Sequence, residues 1–518
     1  MHTRSLLTVL FAAASACIAE RGPLSNRMAH SATSYLARAA RQPVNWQPWG
    51  RDAFALAARL DRPVLLYVGG DACRWCAETD RAIYTDPEIG ALINALFVPI
   101  RVDRDERPDV AQRYQAAVER LAGLRGWPLT VFLTADGAPF FGGTYFPADD
   151  PVTGRGLKQI LPEVAQSYRD RRPFIVQHAA LVRQLVLTGS SGSRGVLHAA
   201  SIQAEIATAR TALDAAVRTH EAVGSVVHAE AASLLLTEYA RANDTLSLAA
   251  ARRALDLMLD SAAAATGPPA GANEDPPRLV RAALLSALGK AWVVTGDARY
   301  REAGATLARS LARELRTGGD GALFADQEAF IIESVMLAAA TFGEAAAERR
   351  ARTALDALLQ RMYARGWGVR HSGTGSAQGL LQDQVQVAAA CLAAHQLAGD
   401  RRYLEIARDL ATVLEQGYAD PLGGYYDAAA PPAPPAAPDP AAPALTDRTK
   451  HVFDDMLPGA NATAARVLLR LSEVTTDPAY RRRAEAALEA FAGTVNGAGL
   501  RAATFLGAAR EVLASRGP

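Results

Sequence analysis

Cysteine is scarce, with four residues in a chain of 518. A fold stapled by disulfides is thereby excluded, because a chain this long relies on its apolar core. Charge of one sign is missing too: 55 basic residues stand against 54 acidic ones for a net charge of +1. Interspersed in this way, the charges form no basic face for nucleic acid or an anionic membrane, and no nucleic-acid partner is expected. Past the N-terminus no apolar run is long enough to cross a bilayer. Histidine is sparse as well, and His30 and His178 are the nearest to the one close pair of cysteines, so a zinc site there lacks half of its ligands. No metal and no cofactor are expected.

What is present is core. Half of the residues are hydrophobic, and the length exceeds what one hydrophobic core fills, which predicts two domains. The N-terminus places Arg4 before an apolar run from Leu6 to Ala16 that ends in small residues. Residues 1–19 therefore read as a secretory signal peptide. Cys17 stands where a lipoprotein leader would carry its acylated cysteine. Export to the periplasm or cell envelope is expected, with membrane contact only through a lipid anchor at Cys17.

Residues 23–187 alternate helices with short apolar strands. "RPVLLYV" (62–68), "FVPIRVD" (97–103) and "LTVFLT" (129–134) are strand candidates. Helical stretches lie at 74–82, 86–96 and 109–123, and Asp136-Gly137 makes a turn into a return strand. This order predicts a small central sheet of α/β type. "TGSSGSRG" falls within 188–198, a flexible linker by composition. Residues 199–518 are rich in alanine and leucine with helical periodicity. A polar turn followed by an amphipathic helix recurs at Asp244, Asp297, Glu344, Asp400 and Asp477, as expected of repeating helix hairpins. A Pro/Ala-rich loop interrupts them at 428–445. Five or six hairpins stack either as an open solenoid or as a closed toroid, and periodicity does not choose between them.

The segment "DACRWCAETD" holds Cys73 and Cys76 between a predicted buried strand and a predicted helix. Three readings stay open: half of a zinc site, two inert buried cysteines, or a redox dithiol. A helix N-terminus stabilises a thiolate, so the redox reading makes Cys73 the attacking thiol and Cys76 the resolving one. Arg74 adds positive charge beside Cys73. "GWPLTVFL" sets Trp127 and Pro128 at the start of a strand, where a cis proline would lie against the dithiol.

Together, "NRMAHSATSYLARAARQPVNWQPWGRDAF", "LLYVGGDACRWCAETD", "FVPIRVDRDERPDV" and "GWPLTVFLTADGAPFFGGTYFP" resemble the spermatogenesis-associated protein 20 family, also known as DUF255. The resemblance implies a thioredoxin-like domain followed by an (α/α)6 toroid like those of six-hairpin glycosidases. The family's dithiol usually reads C-H-W-C-H; here Arg74 and Ala77 replace both histidines. Thioredoxins carry an acid in the preceding strand, where this chain has Tyr67, and Asp71 is the nearest acid. The family's long aromatic, histidine and Glu-Lys block has no counterpart in the helical region, which is shortened.

The resulting expectation is a thioredoxin-like thiol–disulfide oxidoreductase acting on protein thiols and disulfides. Cys73 and Cys76 would be catalytic, while Arg74, Trp75, Trp127 and Pro128 shape the surface that receives the partner chain. Polar residues Asp326, Asp383, Asp454, Asp455 and Asn461 stand near predicted helix starts and would converge on a toroid pocket for a carbohydrate-like ligand, although helix capping competes for each of them. The alternative is a redox-inactive protein whose toroid binds or acts on carbohydrate.

Overall fold

A computed structural model describes residues 24–515 apart from 151–153, 220–222, 265–276, 318–322, 374–378 and 431–444. The leader with Cys17 and most of the Pro/Ala-rich loop lie outside the described residues.

In the N-terminal domain, β2 (Val64–Gly69) and β3 (Val98–Asp103) are buried at every position. Helices cover both of their faces, so β2 reads as a continuous apolar run, while β3 also buries Arg101 and Asp103. Helix α1 (Ser34–Arg38) and strand β1 (Gln47–Pro48) come from the N-terminal arm. Next follow α2 (Arg51–Leu60), α3 (Arg74–Ala82), α4 (Pro87–Leu96) and α5 (Pro108–Ala122). Strands β4 (Leu129–Leu133) and β5 (Pro139–Gly143), then α6 (Leu157–Asp170) and α7 (Arg172–Ser190), complete the domain. The sheet order is β1-β3-β2-β4-β5, with β1, β3 and β2 parallel and β4 and β5 antiparallel. Local chemistry sets the boundaries. Asp86 caps α4, accepting from the Glu88 and Ile89 amides with Pro87 at the first helical position. Gly123, at φ 68°, ends α5. Trp46 packs on Tyr67 and Tyr84, and Trp49 on Phe54 and Tyr114.

The segment expected to be a free linker is anchored instead. Helix α7 runs to Ser190. Beyond it, the Ser193 amide donates to Thr494 Oγ1 at 2.6 Å and the Gly195 amide to the Glu489 carbonyl at 2.8 Å. Composition predicts flexibility, and these hydrogen bonds tie the segment to residues 489–494.

The helical domain contains α8 (Ala199–Arg218), α9 (Val226–Ala242), α10 (Thr245–Ala264), α11 (Pro277–Thr295), α12 (Ala298–Glu314) and α13 (Ala325–Phe342). It continues with α14 (Ala345–Met362), a short ribbon β6 (Tyr363–Ala364) and β7 (Gly368–Val369), α15 (Leu381–Ala398), α16 (Arg401–Gly417), α17 (Ala460–Thr475), α18 (Pro478–Glu489) and α19 (Ala503–Ser515). Odd-numbered helices from α9 to α19 pack side by side in sequence, and α19 packs back on α9. That contact closes the inner ring, so the hairpins form an (α/α)6 toroid rather than an open solenoid. Each inner helix from α9 to α17 pairs with the outer helix that follows it, and α19 pairs with α8. Alanine lets the inner helices approach closely: α15 is buried at almost every residue from Leu381 to Ala394.

Candidate functional site

Cys73 and Cys76 form a disulfide at the N-terminus of α3. Cys73 is the N-cap residue, and its Sγ accepts the Cys76 amide at 3.0 Å. This is the position at which a helix stabilises a thiolate. The peptide between Trp127 and Pro128 is cis. Gly69, the last residue of β2, leaves the room the sulfur needs: a Cβ there would lie 3.0 Å from Cys76 Sγ and 2.2 Å from Tyr35 Oη. Any side chain at this position would displace one or the other.

Under α3 lies a group that the sequence does not announce. Arg101 is fully buried and donates to both Asp80 oxygens at 2.7 Å. Its guanidinium lies 4.3 Å from the Tyr35 ring centroid and 5.0 Å from that of Tyr67. Tyr67, standing where thioredoxins carry an acid, donates from its hydroxyl to the Cys76 carbonyl at 3.4 Å. Burial drives the Tyr67 phenol well above its usual range, so it stays protonated. Asp103 pairs with Gly69 across the β2–β3 ladder, and burial, reinforced by Asp105, raises its carboxyl. Asp71, the nearest acid in sequence, is exposed and held by Arg38 and Ser34, so it belongs to the rim.

The expected partner surface divides into two parts. Arg74 and Trp75 are exposed, Trp75 by 47%, with its ring against Tyr145. Trp127 and Pro128 are buried, and the sulfurs are nearly so: Cys73 is 1% exposed and Cys76 0%. Trp127, Arg104 and Asp105 share a narrow pocket of about 60 Å³ with Asp326, His451 and Asp455 of the toroid. The cis-proline side therefore faces the chain's own second domain. Sequence spacing carried no sign of this, since the residues that meet come from opposite halves of the chain.

The toroid candidates also separate. Asp326 and Asp383 meet at the N-terminal ends of α13 and α15, where the Asp326 amide donates to Asp383 Oδ1 at 3.1 Å. Between them is His371, which sequence reasoning missed as a lone histidine in a loop. Its Nδ1 lies 2.9 Å from Asp383 Oδ1 and its Nε2 lies 2.7 Å from the Asp105 carbonyl of the N-terminal domain. Gln327 adds a 3.3 Å contact to Asp105 Oδ1. Burial alone would lower the pKa of His371, but Asp383 and Asp326 outweigh it and carry it up to about 10. The three side chains are close enough to hold a metal ion. Both ring nitrogens, however, are already engaged in hydrogen bonds, so the arrangement works as an ion cluster that seats the Asp105 loop.

Asp454 and Asn461 are spent on the backbone. Asp454 accepts from the Gly459 and Thr504 amides at 2.8 and 2.9 Å. Asn461 accepts the Tyr425 amide and donates to the Tyr425 and His451 carbonyls. Asp455 lines the narrow interdomain pocket. The five residues do not converge on one pocket, because those at the N-terminal mouth of the ring lie beneath the Asp105 loop and the others build turns.

Residues 25–186 match the family described as a protein of unknown function, DUF255. Human spermatogenesis-associated protein 20 is 36% identical over 170 residues, which are 33% of this chain and 22% of that protein. An uncharacterized protein of Caenorhabditis elegans is 37% identical over 161 residues, 31% of this chain and 22% of its own. The match thus spans only about 22% of the length of these curated relatives. Among solved structures, an unsaturated glucuronyl hydrolase specific for heparin is similar with a TM-score of 0.43 at 16% identity, covering 62% of this chain and 98% of the other. D-mannose isomerase gives 0.43 at 14% identity, covering 56% and 87%.

Proposed function

The N-terminal domain belongs to the DUF255 thioredoxin-like family, and from that premise we propose that the protein is a thiol–disulfide oxidoreductase. The carrying observation is the Cys73–Cys76 pair at the start of α3, with the Cys76 amide directed at Cys73 Sγ. A thiolate of a substrate dithiol attacks Cys73 Sγ, the Cys73–Cys76 bond breaks, and Cys76 leaves as a thiolate that takes up a proton. The second substrate thiolate then attacks the substrate sulfur bound to Cys73 and releases the Cys73 thiolate. The substrate loses two electrons and the pair gains them; in the opposite direction the Cys73 thiolate attacks a substrate disulfide. The helix end and the Cys76 amide stabilise the thiolate at Cys73, which favours its role as the reacting sulfur.

With the sulfurs nearly buried, a protein partner enters over the exposed Trp75 and Arg74 side, or after the toroid shifts from Trp127. Export to an oxidising compartment belongs with this reading, and cell fractionation tests it. A carbohydrate reading gains no support at the N-terminal mouth of the ring, where His371 and Asp105 occupy the acids.

The experiment is trapping. A Cys76→Ser variant incubated with an oxidised model protein should accumulate a mixed disulfide through Cys73, seen on non-reducing electrophoresis and mapped by mass spectrometry. Cys73→Ser should give none. Absence of any adduct from Cys76→Ser, with a Cys73 thiol that titrates like free cysteine, would overturn the redox assignment.

A further inference from the structure

A cavity of about 380 Å³ occupies the middle of the toroid, on the side away from the N-terminal domain. Its mouth is at the C-terminal ends of the inner helices, where Val293 and Thr341 are exposed. Its floor is formed nearer the N-terminal ends by Gln386 and Thr463. Both floor residues carry a buried polar atom without a partner among the described residues: Gln386 Nε2, on a side chain 1% exposed, and Thr463 Oγ1. A buried polar group left unpaired is destabilising, so two at the base of one cavity point to an occupant that pairs with them.

The walls give the charge of that occupant. Lys290 on α11 faces Arg466 and Arg470 on α17, and α11 and α17 stand opposite one another in the six-membered ring. The acids on the lining are Glu230 and Glu333, so three cations stand over two acids. Arg470 is taken up by Glu333 at 3.0 Å. Arg466 Nε lies 3.6 Å from Glu511 Oε1, and although burial opposes it, Glu511, then Glu230 and Glu333, hold its guanidinium pKa up. Lys290 makes no ion pair among the described residues; Glu230 on the adjoining inner helix α9, and Glu511, act on it only at longer range. Burial, then Arg466, holds the Lys290 ammonium down to about 8 against the opposing pull of Glu230 and Glu511.

We propose that this cavity is a binding site for a small hydroxylated monocarboxylate. Its carboxylate lies between Lys290 and Arg466, and its hydroxyls meet Gln386 and Thr463 on the floor. An anion there pairs with Lys290, which has no ion pair among the described residues, and meets the facing Arg466. Hydroxyls both donate and accept, which suits an amide donor beside a threonine hydroxyl. The volume falls in the range of small-molecule sites. The site is remote from the dithiol, opens on the opposite end of the ring, and does not depend on the redox assignment.

Thermal unfolding of the full chain with D-gluconate is the test, and sorbitol, in which a CH2OH replaces the carboxylate, is the control. Gluconate should raise the midpoint saturably while sorbitol at equal concentration does not. Lys290→Met should weaken the apparent affinity by about tenfold or more, equivalent to about 1.4 kcal/mol. Val293→Trp narrows the mouth without altering the charges and should abolish the response; it decides the matter if Lys290→Met does not fold. The proposal is overturned by the lack of a saturable response to about 50 mM gluconate, by an equal response to sorbitol, or by an undiminished response in Val293→Trp.

Discussion

At the scale of single residues, surroundings decide which charges the molecule keeps. His371 is fully enclosed, yet Asp383 and Asp326 hold it protonated well past neutrality. Its folded pKa of about 10 lies above the ordinary 6.5 of an unfolded chain. Its contribution to stability is therefore complete below pH 6.5 and is lost as the pH rises towards 10. Replacing it with asparagine should cost stability at pH 6 and progressively less by pH 9, a narrowing on the order of 1 kcal/mol or more. Chemical denaturation of both proteins across that window measures the gap, and a constant difference would contradict the charge assignment. The two cysteines, the cis proline and the acids at helix starts were legible because each type has a strong local preference. His371, Arg101 and Lys290 were not, because their surroundings are set by Asp383, Asp80 and Arg466, which lie on other elements and meet them only in the folded chain. Asp454 and Asn461 misled for a related reason: a polar side chain that secures a turn looks, in sequence, like one that lines a pocket.

At the scale of elements, the spaced acids of the helical half are starting signals for the outer helices. Asp297, Asp400 and Asp477 each accept the amide two residues on, as N-caps of α12, α16 and α18. Asp244 accepts the Leu246 and Ser247 amides at the start of α10. Glu344 breaks the series: its side chain makes no cap and pairs with Arg309 on the preceding outer helix. A longer side chain reaches outward where aspartate folds back on its own helix. Asp244→Ala should cost about 1 kcal/mol, whereas Glu344→Ala should cost less, since exposed pairs contribute about 0–1 kcal/mol. Thermal midpoints of the two variants rank them. The hairpin repeat was thus readable from cap chemistry, while the choice between solenoid and ring rested on one contact between the ends of the repeat, which no period encodes.

At the scale of the whole molecule, the two domains are joined by more than their connection. Arg183 on α7 holds both oxygens of Asp447, and Arg113 on α5 donates to the Asp447 carbonyl at 2.8 Å. This clamp and the His371 contact keep the toroid against the Trp127 side of the dithiol. Asp447→Ala should loosen the clamp and speed reduction of Cys73–Cys76 by dithiothreitol several-fold, with the oxidised protein still folded. Alkylation of the released thiols gives the rate, and an unchanged rate would show that the toroid does not restrict access. Ring closure has a further consequence for how the chain is made. The inner ring is sealed by α19 against α9, where Arg510 donates to Glu238 at 3.1 Å. These partners are the first and last inner helices of the domain, so closure, like the packing of α8 on α19, is among its contacts of longest range. As the ribosome delivers the chain, the N-terminal domain can fold early, but the apolar flanks of α9 and α17 stay uncovered until the final helix emerges. Vectorial synthesis thus leaves the apolar flanks of the toroid uncovered for longer than those of its neighbour, the condition under which aggregation competes with folding.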